Sequence, residues 1–266
     1  MEILRSLAAG LLADGTIKGL LGYEAGTAGR RRPLVATSEE DLARLRFDEA
    51  CTGNLAGLLA KAELRRLFPL AVLGREATLR SLLQLHAERQ LRDGEVIALV
   101  VEDGQAIQLA TAAALEEHLA LKGQGLPAED AALIARLQAM ERTERWAWWQ
   151  EELGRCIKCY ACRQTCPMCY CATCTMDQNR PQWVPVASHA LGNFEYHVVR
   201  AMHLAGRCVQ CGECGRACPV GIPVHLLPMH AQERSEALFG ARAGRHAKLD
   251  YALGVFRPDD KETFIR

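Results

Sequence analysis

A spacing of cysteines that occurs twice constrains this chain more than any other feature. Cys156-x-x-Cys159-x-x-Cys162-x-x-x-Cys166-Pro167 returns as Cys208-x-x-Cys211-x-x-Cys214-x-x-x-Cys218-Pro219. Three cysteines two residues apart let a short turn of backbone curl over one face of a cubane iron-sulfur cluster. The fourth, set off by three residues and followed by proline, points to the other cluster. The spacing therefore assigns Cys156, Cys159, Cys162 and Cys218 to one [4Fe-4S] cluster, and Cys208, Cys211, Cys214 and Cys166 to a second. Zinc and disulfides are the plainer uses of cysteine. Structural zinc usually takes two separated C-x-x-C pairs rather than a triplet with an offset fourth, and disulfides need an exported chain.

The 266 residues have room for about two domains. Lys plus Arg and Asp plus Glu both number 32, so no basic excess points to nucleic acid or to an anionic membrane surface. Met1 to Gly22 lacks the long apolar core and cleavage site of an export signal, and no run of about 18 apolar residues marks a membrane span. A soluble, cytoplasmic protein is expected. Twelve crowded cysteines in a reducing compartment point to metal rather than to a disulfide scaffold, and clusters of this kind suit an anaerobe or a protected complex.

The expected fold class is α+β, with a small α/β domain followed by an α-helical ferredoxin domain that carries both [4Fe-4S] motifs. Residues 1–125 form the first, 126–150 a linking helix, 151–232 the second and 233–266 a tail. In the first part, Ile17 to Tyr23, Pro33 to Ala36, Pro69 to Leu73 and Val96 to Val101 read as strands of a partly parallel sheet. Thr37-Ser38-Glu39-Glu40 is a capping signature, Leu55, Leu58, Leu59 and Ala62 fit one helical face, and Ala77 to Gln90 reads as a helix with Leu79, Leu82 and Leu83 inward. No G-x-G-x-x-G or P-loop is present, and Gly94 and Gly104 read as turn glycines. Gly123 to Pro127 is the linker, followed by a helix from Ala128 that continues through the charged run Glu141 to Arg145. Trp146, Trp148 and Trp149 then roof a cluster. In the gap of about forty residues between the motifs, Leu191, Phe194, Val198, Ala201, Met202 and Ala205 share one helical face, so helices rather than a hairpin connect the two.

Four cysteines remain: Cys51, Cys169, Cys171 and Cys174. Spare buried thiols are one reading. Three thiols within six residues favour a metal, and with Cys51 they make a four-thiolate site for a third cluster or for zinc. Cys162-x-x-x-Cys166-x-x-Cys169 also spells the word of radical S-adenosylmethionine enzymes, but two of its cysteines are claimed by the longer pattern and no barrel precedes it. A structural metal module that holds subunits together is a further alternative. Lys158, Arg163 and Arg207 lie beside ligands, where positive charge favours a reduced cluster, and His203 and His225 read as packing or surface residues. No nucleophile, acid-base pair or substrate pocket is recognisable. The expected role is an electron-transfer subunit of a larger redox complex that relays electrons between a flavoprotein or catalytic partner and another carrier.

Several words here resemble a known family. Arg155-Cys156-Ile157-Lys158-Cys159-Tyr160-Ala161-Cys162, Cys166-Pro167-Met168-Cys169-Tyr170-Cys171 and Met202-His203-Leu204-Ala205-Gly206-Arg207-Cys208 resemble the iron-sulfur beta subunits of formate dehydrogenases and coenzyme F420-reducing hydrogenases. The most similar branch accompanies heterodisulfide reductase modules and, in acetogens, methylenetetrahydrofolate reductase, and is likened to the C subunit of Rnf complexes. Phe47-Asp48-Glu49-Ala50-Cys51 with Asn54-Leu55-Ala56 matches the family's N-terminal part. Where that family has Gly-Cys-Asp after the first strong strand, this chain has Gly74-Arg75-Glu76, so no cysteine ligand is carried over to that loop. Members of the wider family bind FAD. No local motif here marks a flavin site, and none is assigned.

Overall fold

Five strands, β1 (Gly19–Ala25), β2 (Arg31–Ala36), β3 (Leu70–Leu73), β4 (Val96–Glu102) and β5 (Gln105–Leu109), form one sheet in the order β2-β1-β3-β4-β5. The structure, a computed structural model, describes residues 1–123 and 125–248. β1, β3 and β4 run parallel, while β2 and β5 are antiparallel edges. The parallel strands are apolar runs because both faces are covered: all of β3 is buried, as is β4 from Val96 to Val100. The mixed α/β architecture expected of this part is what forms. The sequence reading missed β5, which follows Asp103-Gly104 with φ of 48° and 76°. An Asp-Gly pair with both residues left-handed is a tight hairpin turn, so Gly104 is more than loop punctuation.

Eleven helices are described in chain order. Those around the sheet are α1 (Glu2–Ala13), α2 (Glu39–Arg44), α3 (Ala62–Arg65), α4 (Glu76–Ala87) and α5 (Ala112–Ala120). Ser38 caps α2 as expected, its hydroxyl accepting from the Asp41 amide at 3.2 Å. α4 buries Leu79, Leu82 and Leu83 as expected. The helix expected through Leu55 and Ala62 is instead a 3-10 turn, Leu55–Leu58, and then α3, with Lys61 extended between them. Its docking explains the difference. A side chain on Gly57 would come within 2.4 Å of the Thr165 carbonyl, so this loop is shaped by close approach to the cysteine region rather than by a continuous helical face.

The helical part comprises α6 (Ala128–Ala139), α7 (Arg142–Gly154), α8 (Ala161–Gln164), α9 (Ala190–His203), α10 (Glu213–Arg216) and α11 (Leu226–Phe239). The single linking helix is two. Met140 and Glu141 are extended, and Arg145 donates to the carbonyls of Leu137 at 3.0 Å and Met140 at 3.2 Å, satisfying acceptors that a broken helix exposes. The boundary at 232 falls inside α11, which ends at left-handed Gly240. Beyond it the chain turns back. The Gly244 amide donates to Gln84 at 2.8 Å and the Ala247 amide to Glu116 at 2.8 Å, tying this segment to α4 and α5. The tail residues 249–266, and residue 124 of the expected linker, lie outside the described residues.

Sheet and helical parts meet through polar clamps. Glu88, just past α4, accepts from Arg207 at 2.9 and 2.5 Å and from the Tyr170 hydroxyl at 2.6 Å, and its side chain is only 2% exposed. The Asn54 amide donates to Glu213 at 2.7 Å. These contacts carry the sheet part against the second cysteine motif.

Candidate metal centres

The two cysteine motifs fold alike. In the first, Lys158 and Tyr160 have φ of 50° and 59°; in the second, Gln210 and Gly212 stand at the same offsets with 57° and 72°. Left-handed backbone is costly for lysine, tyrosine and glutamine, and its exact recurrence marks a shape that both motifs must adopt. The turns aim amides at sulfur. Lys158 donates to Cys156 Sγ at 3.4 Å, Ile222 to Cys218 Sγ at 3.3 Å, Gln210 to Cys208, Glu213 to Cys211 and Met168 to Cys166. Each motif then enters one turn of helix, α8 or α10, carrying buried Cys162 or Cys214. α10 lies against His225, where a side chain on Gly215 would come within 2.0 Å of Nδ1. His225 itself pairs with Asp130 at 2.8 Å, the packing role expected of it.

The eight sulfurs gather in two groups. Cys156 is raised above the usual thiol range first by burial and then by Cys162, Cys218 and Cys159. Cys208 is raised first by burial and then by Cys211, Cys214 and Cys166. Cys218 thus lies with the first motif and Cys166 with the second. The groups differ in exposure: Cys159 is open to solvent, whereas Cys211 is half-buried and accepts a hydrogen bond from Asn54 of the sheet part. Burial pushes Cys214 up to about 12, against the pull of Arg200. Thiols in such surroundings do not ionise on their own, and metal removes that penalty by replacing the proton. Among the described residues no three Cys, His, Asp or Glu side chains converge tightly enough to hold one metal ion. Cubane ligation differs, because each thiolate takes a different iron and the sulfurs stand further apart.

Helix α9 supplies what the sequence reading missed. Its inward face is polar, with Asn193, Tyr196, His197 and Arg200 buried, while Leu191 and Met202 of the expected apolar face are 71% and 61% exposed. The reason is what the helix covers. Asn193 donates to the Cys156 carbonyl at 2.7 Å, Arg200 to the Cys162 carbonyl at 3.0 Å, and the Tyr196 hydroxyl lies 3.5 Å from Cys162 Sγ. His197 is pushed down to about 4 by burial and then by the Arg200 and Lys158 charges, so it is neutral at pH 7. Asn193 Oδ1, His197 Nε2 and Arg200 Nε are buried without a protein partner. Two of these, His197 Nε2 and Arg200 Nε, can donate, and beside two groups of thiols they fit a polar, anionic occupant better than a dry core. Positions 193, 196, 197 and 200 follow helical spacing, so a search for polar periodicity would have found this face.

The cations singled out beside the ligands are engaged. Lys158 is buried and donates to the Pro185 carbonyl, Arg163 pairs with Asp177, and Arg207 pairs with Glu88. Of the tryptophans, Trp149 packs into the apolar cluster that includes Cys156, Cys162 and Cys218, and Trp148 stacks edge-on against it at 4.8 Å. Trp146 is half exposed on Phe194.

Cys169, Cys171 and Cys174 line one cavity of about 260 Å³ with Arg163, Arg200, His203 and Arg207. Cys51 does not line it. Its thiol sits in the sheet core, accepting from the Asp48 amide at 3.4 Å and donating to the Arg46 carbonyl at 3.6 Å. It is Gly57, not Cys51, that approaches the cysteine region, at the Thr165 carbonyl and the Pro167 nitrogen. The radical-enzyme word is divided. Cys162 stands with the first group and Cys166 with the second, and Cys169 donates a hydrogen bond to Cys166 that holds Cys166 below the usual thiol range.

Residues 155–223 match a family described as a 4Fe-4S dicluster domain. The F420-dependent formate dehydrogenase subunit beta of Methanocaldococcus jannaschii is 34% identical over 77 residues, which are 29% of this chain and 20% of that one. The F420-dependent formate dehydrogenase 1 subunit beta of Methanococcus maripaludis is 35% identical over 106 residues, 40% of this chain and 27% of that one. The chain thus spans about a quarter or less of the length of these curated relatives. The matches support kinship with an iron-sulfur beta-subunit family. Among the described residues no helix is long and apolar enough to cross a membrane.

Proposed function

We propose that this chain is an electron-transfer subunit of a multi-subunit oxidoreductase. Cys156, Cys159, Cys162 and Cys218 would hold one [4Fe-4S] cluster, and Cys208, Cys211, Cys214 and Cys166 a second. The observation that carries the reading is that the two motifs fold alike, with the Cys218 thiol near Cys156 and the Cys166 thiol near Cys208, as fourth ligands exchanged between motifs would require. Bound clusters supply one-electron chemistry. The chain's own residues hold the thiolates, keep water from the second group, and direct amides at sulfur, which favours the more negative, reduced state. Substrate chemistry then belongs to other subunits, among them a flavoprotein. The relatives are named as beta subunits of formate dehydrogenases, in keeping with such a partner-dependent role.

Cys169, Cys171 and Cys174 form a third metal site in this proposal, with His203, which lines the same cavity, replacing Cys51 as the fourth donor. A third [4Fe-4S] cluster extends the relay, and zinc, the alternative occupant, would need these donors drawn closer together than they stand. Anaerobically purified protein should contain about twelve irons per chain for three clusters, against about eight irons and one zinc for the alternative. Dithionite should bleach its visible absorption and produce electron paramagnetic resonance signals, and an added dye should reoxidise it without any organic substrate. Protein that carries zinc alone and shows no reducible signal would return the chain to a structural metal module.

A further inference from the structure

One buried guanidinium has no carboxylate partner among the described residues. Arg200 lies on the inward face of α9, 4% exposed. Its Nη2 donates to the Cys162 carbonyl at 3.0 Å, and its Nε is buried without a partner. It also lines a small cavity with Cys166, Cys208, Cys211 and Cys214 of the second cysteine group. Arg200 thus touches both groups, and it lines the third cavity with Cys169, Cys171 and Cys174 as well.

A buried, unpaired cation costs several kcal/mol unless negative charge stands beside it. Buried Lys158 donates to a backbone carbonyl at the edge of the first motif, whereas arginines nearby have carboxylates. Arg207 has Glu88, Arg163 has Asp177, and Arg44 and Arg32 share Glu24. Arg200 instead has cysteine sulfurs on both sides, all of them thiolates once metal is bound. Resting on the two-cluster reading above, we infer that Arg200 is a counter-ion shared by both clusters, a positioning residue that raises both reduction potentials together.

The sign follows from charge. Reduction adds one electron to a site that already carries negative thiolates, and a fixed cation nearby stabilises the reduced state more than the oxidised one. In a site of low polarity this field is weakly screened, so it reaches both groups. Arg163 and Arg207 lie close to ligands as well, but each is neutralised by its carboxylate. Position in sequence therefore misleads: the cation that matters is remote from every motif and is brought in by a helix.

Potentiometric titration of the holoprotein, followed by electron paramagnetic resonance, tests the inference with Arg200→Gln, Arg200→Lys and the control Arg163→Gln. Arg200→Gln should lower both midpoints, decreasing the ratio of reduced to oxidised cluster at fixed poise by at least about tenfold, or about 59 mV for a one-electron couple. Arg200→Lys, which keeps the charge but places it differently, should shift both midpoints less and in the same direction. Arg163→Gln should leave both near wild type. Movement of one midpoint alone, or an equal shift in the control, overturns the shared role. If Arg200→Gln loses iron, Arg200→Lys decides by the same criterion. Wild-type protein with no reducible iron would overturn the electron-transfer reading itself, whereas two intact clusters with unmoved midpoints would overturn only this one.

Discussion

Cys166→Ser should remove the cluster held by the distant motif and spare the one beside it in sequence. Cys166 lies with Cys208, Cys211 and Cys214, about forty residues further along, so its loss opens the second site to three ligands. Cys218→Ser should do the reverse, because Cys218 lies with Cys156, Cys159 and Cys162. With the third site set aside, each variant should fall from about eight irons to about four, and the two should retain different resonance signals. One complication has a structural source. Cys169 is hydrogen-bonded to Cys166 and could step in as a ligand, so Cys166→Ser combined with Cys169→Ser makes the comparison clean. If the signal lost in Cys166→Ser were the one also lost in Cys159→Ser, and the signal lost in Cys218→Ser the one also lost in Cys211→Ser, each cysteine would serve its own motif and the exchange would be wrong.

The largest effect on stability is expected at Glu88. Its buried carboxylate takes two hydrogen bonds from Arg207 and one from Tyr170, and Gln84 donates to it at 2.8 Å. Removing one partner of a buried ion pair leaves the other charge uncompensated, at a cost of about 3–5 kcal/mol. Glu88→Ala should therefore destabilise the holoprotein by that amount and loosen the sheet part from the cysteine region. Anaerobic urea unfolding followed by circular dichroism measures it. Glu152→Ala, which breaks an exposed pair with Arg155, should cost less than about 1 kcal/mol. Equal losses in the two variants would show that the Glu88 clamp contributes no more than a surface pair.

Much of this arrangement was legible in the sequence, for reasons that differ by region. The repeated spacing drew Cys218 and Cys166 across to each other's motifs because few other geometries use that offset. The central strands could be read because Leu70 to Leu73 and Val96 to Val100 are apolar without interruption. The helix expected at Leu55 to Ala62 was not what formed, since the fit of Gly57 against Thr165 is a contact between segments far apart in sequence. Cys51 was grouped with other cysteines by composition, and composition does not say that Asp48 and the Arg46 carbonyl surround it. For α9, apolar spacing identified the helix and rightly placed Ala201 and Ala205 inside, but it put Leu191 and Met202 there too and missed the buried polar side chains beside them. Hydrophobic periodicity assumes that the interior is oil, and here the covered surface consists of carbonyls and sulfur.

That buried polar face bears on how the protein is made. Before iron and sulfide arrive, α9 in this orientation hides Asn193, His197 and Arg200 while Leu191 and Met202 face water. Oil-and-water forces alone do not favour hiding those three side chains. Insertion of the inorganic guests supplies the opposing preference, so maturation of the clusters and final seating of the helix become one event, and a newly synthesised chain stays uncommitted until its cargo is delivered.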